Sequence, residues 1–185
     1  MLEKKLRPFR LDHIEIQDKF WKEYMELVRK HVIPYQWEAL NDRIKDAEPS
    51  GCIRNFRVAS KQEEGEFYGM VFQDSDVYKW LEAVAYSLMW HPDKELEKTA
   101  DDVIDLIGAA QQPDGYLNTY YIINGLEKRF TNLMDNHELY CLGHMVEGAV
   151  AYYNATGKRK FLDIAIGYAD CVYENLGVEE GKIPG

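Results

Sequence analysis

The spacing of apolar positions changes several times along the chain, and each change predicts an element. Leu11-Asp12-His13-Ile14-Glu15-Ile16 alternates loosely, as a short strand does, and Asp18 bounds it. Phe20, Tyr24, Leu27, Val28 and His31 then recur at three- and four-residue steps. That is the stripe of an amphipathic helix, which Pro34 should end or kink. Tyr35 to Leu40 reads as another helical turn or two. Residues 41–69 are polar and carry Pro49, Gly51, Gly65 and Gly69, which predicts an irregular connection.

From Ser75 onward the signal is helical and strong. Asp74 or Ser75 can cap a helix to about Trp90, where His91-Pro92-Asp93 breaks it. A second helix runs from Asp93 to about Gln111, with Leu96, Ala100, Val103, Ile104 and Ile107 on one face. Asn136 can cap a third, which Gly157 stops after Thr156. The fourth spans Lys158 to Leu176 on a stripe of Phe161, Ile164, Ala165, Tyr168 and Val172.

These two helix pairs repeat. A shift of 65 residues, without a gap, lays Leu81-Glu82-Ala83 on Val146-Glu147-Gly148, Leu96 on Phe161 and Asp105 on Asp170. An ungapped helical-hairpin repeat predicts an α/α architecture whose hairpins stack about an axis. The first helix of each pair is apolar nearly all round and the second has a polar face. The first therefore belongs to an inner layer and the second to an outer one, as in an α/α toroid.

Composition narrows the function classes. The chain has 185 residues, enough for one sizeable domain, and 46% of them are apolar, so it can bury a core. Net charge is −10, and the longest basic run is Lys158-Arg159-Lys160. That balance argues against a nucleic-acid or anionic-membrane partner. Three widely spaced cysteines without a CxxC suit a reducing cytoplasm better than a disulfide framework. The charged N-terminus shows no secretory leader, and no apolar run is long enough to span a membrane.

Three segments could carry chemistry. Gln111 to Tyr121 holds a Pro-Asp-Gly turn and opens a long loop rich in Tyr and Asn. Aromatics with amides suit a sugar, and they equally suit a loop pinned to the surface by its tyrosines. His137, Cys141 and His144 share a helix face at i, i+4 and i+7. Imidazole and thiolate both ligate zinc, yet three ligands from one straight helix converge badly. A hydrogen-bonding His137 above a packed Cys141 and a satisfied His144 is the more economical reading. Asp74 and Asp76 form a possible carboxylate pair, but acids in a first helical turn are more often caps that complement the dipole.

At this point a family can be named. Tyr35-Gln36-Trp37-Glu38, the run Phe67 to Glu82 with its Phe-Gln-Asp-Ser-Asp-Val-Tyr-Lys-Trp core, Ala110 to Leu117, His137-Glu138-Leu139-Tyr140 and Glu179 to Ile183 together resemble glycoside hydrolase family 127. Its characterised members are β-L-arabinofuranosidases. The resemblance implies an all-α fold of helical-hairpin repeats, with residues 1–185 as the N-terminal portion of an (α/α)6 catalytic barrel. It implies a retaining reaction on terminal β-L-arabinofuranosyl residues, with a zinc-bound cysteine thiolate as nucleophile and a glutamate as acid/base. Those groups and the zinc ligands belong to segments downstream of this chain, so no catalytic or metal-binding residue is expected here. Of the family's sugar-binding histidines, His137 matches one by its His-Glu-hydrophobe-Tyr context. Cys141 sits in none of the family's ligand motifs.

The expectation is a carbohydrate enzyme segment that supplies one wall of the pocket for an arabinofuranosyl oligosaccharide. Alone it should be inactive and prone to self-association. The alternatives are another α/α-toroid enzyme, of the unsaturated glucuronyl hydrolase or sugar epimerase type, and a helical-repeat interaction module. A tetratricopeptide array would repeat at about 34 residues, and a long loop between its hairpins is foreign to it.

Overall fold

Helices dominate the computed structural model, which describes residues 11–183 and has no β-strand among them. In chain order they are α1 (Lys19–Leu27), α2 (Ile33–Leu40), α3 (Cys52–Ala59), α4 (Asp74–Trp90), α5 (Lys94–Ala110), α6 (Thr119–Asn124), α7 (Glu138–Thr156) and α8 (Lys160–Asn175). None of these is long and apolar enough to cross a membrane.

The first hairpins differ from expectation in instructive ways. Leu11–His13 is a 3-10 turn rather than part of a strand, since there is no strand among the described residues to pair with it. Pro34 does not end the helix. Val28–Val32 widens into a π-turn, in which the Ile33 N–H bonds back to the Val28 carbonyl, and Pro34 falls in the first turn of α2. There its missing N–H costs little. The polar stretch 41–69 contains α3, which packs Ile53, Phe56 and Ala59 into the core. Asn55 of α3 is buried and grips the backbone of Tyr68 through both ends of its amide, at 2.8 and 3.1 Å.

Helices α4, α5, α7 and α8 follow the predicted pattern to within two residues at either end, while the short α6 falls in what the sequence predicts as a long loop. Asp93 caps α5 by accepting from the N–H groups of Glu95 and Leu96, and Glu95 and Glu97 complement its dipole. Inner helices α4 and α7 lie along one another in the most extensive pairing of the molecule. Their close approach depends on Gly148, where a Cβ would sit 2.8 Å from the Tyr78 carbonyl oxygen. Outer helices α5 and α8 back them. Ion pairs cross the outer layer, Lys158 to Glu97 and Asp101 and Lys160 to Asp105. They are exposed, so most of the stability comes from the core instead. That core centres on Tyr78, Leu81, Ile107, Tyr116, Phe161 and Tyr168, all buried. On the other flank of α4, Trp37 stacks on Trp80 at 4.7 Å, and the Trp80 indole donates to the Ile33 carbonyl.

The 65-residue repeat is visible in this packing. Asp74, Tyr78, Leu81, Ala85 and Leu88 form a buried stripe along α4. The same shift lands on Leu139, Gly143, Val146, Val150 and Tyr153, every one of them exposed. The second inner helix therefore carries, uncovered, the stripe that the first one buries.

Candidate functional site

The N-terminal ends of α4 and α7 meet the long connection 111–137, and the buried polar side chains Asp74, Ser75, Asn118, Thr119 and Glu138 lie there. The connection is held by buried carboxylates. Asp74, at the start of α4, accepts from the Thr119 N–H at 2.8 Å and from the Thr119 hydroxyl. Glu138, at the start of α7, accepts from the Phe130 N–H and the Tyr116 hydroxyl. Burial raises both carboxyl pKa values, that of Asp74 to about 6, against the opposing pull of those hydrogen bonds. The cap reading of Asp74 is thus corrected, because its oxygens serve the loop and not the helix end.

The loop itself is pinned rather than open. Tyr116, Leu117, Asn118, Thr119 and Tyr121 are buried, and Asn118 caps the short α6 by accepting from the Tyr121 N–H. Gln112-Pro113-Asp114-Gly115 forms the expected turn, closed by the Gly115 N–H on the Gln112 carbonyl. It presses on α8 so tightly that a Cβ at Gly115 would sit 2.1 Å from the Gly167 carbonyl oxygen. Of the two readings of the tyrosines, anchoring is the one the structure bears out.

His137 stands at the junction. It is the N-cap of α7 in the left-handed region, φ 56°, where a non-glycine residue is strained. Asn136 does not cap the helix; its amide donates to the Tyr121 hydroxyl at 2.7 Å. The His137 ring packs against Phe72 (centroids 5.3 Å apart) and edge-on to Tyr140 (5.7 Å). Its Nδ1 lies 2.7 Å from the Asp135 carbonyl oxygen. A carbonyl only accepts, so Nδ1 carries the proton and Nε2 of the neutral ring is left with a lone pair.

From His137 a polar strip runs down the same side of both inner helices. It takes Ser75, Lys79, Glu82 and Tyr86 from α4, and Tyr140, His144 and Glu147 from α7. The 65-residue shift puts Ser75 on Tyr140, Lys79 on His144 and Glu82 on Glu147, so this face, too, repeats. Lys79 Nζ stitches the helices together, donating to Ser75 Oγ and to the Tyr140 hydroxyl, both at 3.0 Å. The Tyr140 ring meets His144 edge-on at 4.6 Å, and His144 Nδ1 lies 3.1 Å from Glu147. Donors, acceptors and aromatic edges in one strip suit a ligand with several hydroxyls and apolar C–H faces. The sequence reading singled out His137 and His144 but passed over Lys79 and Tyr140. Their signal was present in the repeat, as i and i+4 partners on the same face.

The residues described do not suit zinc. No group of three or more His, Cys, Asp or Glu side chains among them is arranged to hold a metal ion. Cys52, Cys141 and Cys171 are buried free thiols, and burial raises each pKa, that of Cys52 to about 11. Buried thiols shifted this way are poor nucleophiles. Cys141 is packed into the core, while His137 has left the helical face it was expected to share with it.

Residues 13–185 match the family described as β-L-arabinofuranosidase, GH127 catalytic domain. A non-reducing end β-L-arabinofuranosidase of Bifidobacterium longum subsp. longum is 44% identical over 94% of the chain. The chain spans only 29% of that relative's length. The crystal structure of a GH127 β-L-arabinofuranosidase from Geobacillus stearothermophilus T6 superposes with a TM-score of 0.91 at 66% identity. That match takes in 92% of this chain and 27% of the solved one. A second GH127 β-arabinofuranosidase structure superposes with a TM-score of 0.83 at 37% identity, over 94% of this chain and 28% of the other.

Proposed function

The chain belongs to the GH127 catalytic-domain family of β-L-arabinofuranosidases, and on that footing we propose that it forms one wall of the pocket for a terminal β-L-arabinofuranosyl residue. The observation that carries the reading is the polar strip from His137 to Glu147, on inner helices backed by α5 and α8. At its head the neutral His137 imidazole accepts a hydrogen bond from a sugar hydroxyl through Nε2, and Tyr140 and Lys79 hold the ring's neighbourhood in place.

In this reading residues 1–185 are a single unit, the opening portion of an (α/α)6 barrel that works on arabinofuranosyl oligosaccharides in the cytoplasm. Hydrolysis proceeds with retention. The nucleophile, the acid/base and the zinc ligands come from segments outside the described residues, a view supported by the burial and separation of the cysteines and by the fraction of each relative that is matched. No step of the reaction is assigned to a metal held by this chain.

Two measurements test the proposal. The 185-residue chain should not turn over an aryl β-L-arabinofuranoside, since groups that are absent cannot be compensated by proximity. Robust turnover would refute the division of labour. In a nuclear magnetic resonance titration, methyl β-L-arabinofuranoside should move signals of His137, Tyr140 and Lys79. Shifts confined to other parts of the molecule would overturn the placement of the pocket wall.

A further inference from the structure

His137 keeps a strained backbone conformation, and the chain on either side of it shows what holds it there. Before it, the Asn136 side-chain amide donates to the Tyr121 hydroxyl at 2.7 Å. Tyr121 is buried on α6, a helix anchored at its own start by the Thr119 bonds to Asp74 and by the Asn118 cap. After it, Glu138 is buried, and its carboxylate accepts from the Phe130 N–H and the Tyr116 hydroxyl. A left-handed residue other than glycine persists only where its surroundings over-determine it, and these two grips do so. A relaxed arrangement stands one residue away. Asparagine is among the best helix caps, yet Asn136 gives its side chain to Tyr121 instead. Free to cap α7, it would let residue 137 fall into the right-handed region as the first residue of the helix. The imidazole would then swing onto the face of Cys141 and His144.

We propose that Tyr121 is a positioning residue for His137: its hydroxyl keeps Asn136 off the helix end, and so fixes the imidazole with Nδ1 on the Asp135 carbonyl and Nε2 free for a ligand. The carbonyl that sets the tautomer lies two residues before the ring. Their 2.7 Å contact therefore depends on the torsions of residues 136 and 137, which the Tyr121 bond holds. Asp135 is itself tied into a turn. Its N–H donates to Asn132 Oδ1 at 3.1 Å, and its carboxylate accepts from Asn132 Nδ2 at 3.0 Å. Phe72 and Tyr140 then flank the ring in that one orientation. Tyr121 is buried and acts on a ligand only through Asn136 and His137. The proposal deepens the sugar reading of the strip, and rests on it for the purpose that the orientation serves.

The test breaks the bond from each side in the 185-residue chain. Tyr121→Phe removes the hydroxyl and keeps the buried ring; Asn136→Ala, at a half-buried position, removes the donor with less risk to folding. Long-range proton–nitrogen spectra report which imidazole nitrogen carries the proton. A strong intraresidue amide–Hα nuclear Overhauser effect marks a positive φ. The native chain should show the proton on Nδ1 of His137 and a strong effect at that residue. In both variants the proton should divide between the two nitrogens, and in Tyr121→Phe, where Asn136 can cap, the Overhauser effect should weaken as well. Affinity for methyl β-L-arabinofuranoside should fall roughly tenfold in each. If either folded variant keeps the native tautomer, the positioning role is refuted, whatever the sugar does. If the tautomer is lost and the affinity is unchanged, the orientation does not serve binding and the inference falls too. If the native chain binds no sugar at His137 while both variants lose the tautomer, the sugar reading falls and the hold of Tyr121 on His137 stands.

Discussion

At Asp74 a carboxylate cut off from water takes two hydrogen bonds from one residue, Thr119, and burial still raises its pKa from 3.8 to about 6. An acid with a higher pKa folded than unfolded binds more protons in the native state between those two values. Its contribution to stability is therefore greatest below about pH 4, falls as pH rises toward 6, and is flat above. Asp74→Asn keeps an acceptor for the Thr119 N–H and offers a donor to its hydroxyl, without the charge. The variant should be more stable than the native chain at pH 7, by on the order of 1–3 kcal/mol, and should lose that margin near pH 4. Thermal unfolding at the two pH values decides it; an equal margin at both would contradict the argument. His137 and His144 make a second contrast. In a chimaera carrying this segment in place of the matching part of the Bifidobacterium enzyme, His137→Ala should reduce kcat/KM roughly ten- to hundredfold. His144→Ala, folded to the same extent, should act mainly through packing against Tyr140, and the reverse order would exclude the sugar contact. His137 could be proposed from the sequence because its neighbours form a recognisable context. The task of Asp74 was not, because its partner lies 45 residues away and nothing local distinguishes a buried carboxylate from a helix cap.

Elements declared themselves in the sequence where one helix face had to meet a core. The four helices from α4 to α8 that build the repeat are long and carry sustained stripes, so period alone located them. The two short ones were missed for a shared physical reason. α3 has eight residues and α6 has six, too few for a period to rise above the polar background. Both depend on tertiary anchors, Asn55 gripping Tyr68 and Asp74 gripping Thr119, that no local pattern reports. The 3-10 turn at Leu11–His13 is the converse case, alternation without a partner strand. The turn at Gly115 yields the prediction for this scale. Its φ is 86° and a Cβ would collide with Gly167, so Gly115→Ala must move the loop away from α8. A loss of at least about 2 kcal/mol is expected by denaturant unfolding. The side-chain amide of Gln111, which spans the Gly115 and Ile164 carbonyls at 2.8 Å each, should lose protection with it. A variant as stable as the native chain would mean the contact is slack.

For the whole molecule, the consequence lies in the stripe of Leu139, Val146, Val150 and Tyr153, the image on α7 of what α4 buries. A second apolar face is exposed on α1, through Phe20, Trp21, Tyr24 and Leu27. Apolar surface of this extent drives association, so the isolated chain should self-associate at micromolar concentration. The form of that association follows from how the stripe arose. A surface produced by advancing a repeat complements the next copy of the unit, not a mirror of itself, so the favoured contact is heterologous rather than two-fold. Copies joined that way add head to tail, and the assembly closes into a ring or goes on growing. Sedimentation velocity should accordingly show a mass distribution that broadens upward with concentration. A single sharp dimer at every concentration would mean instead that one of the faces pairs with its own equivalent, and that rotational symmetry, not the repeat, governs how these chains meet.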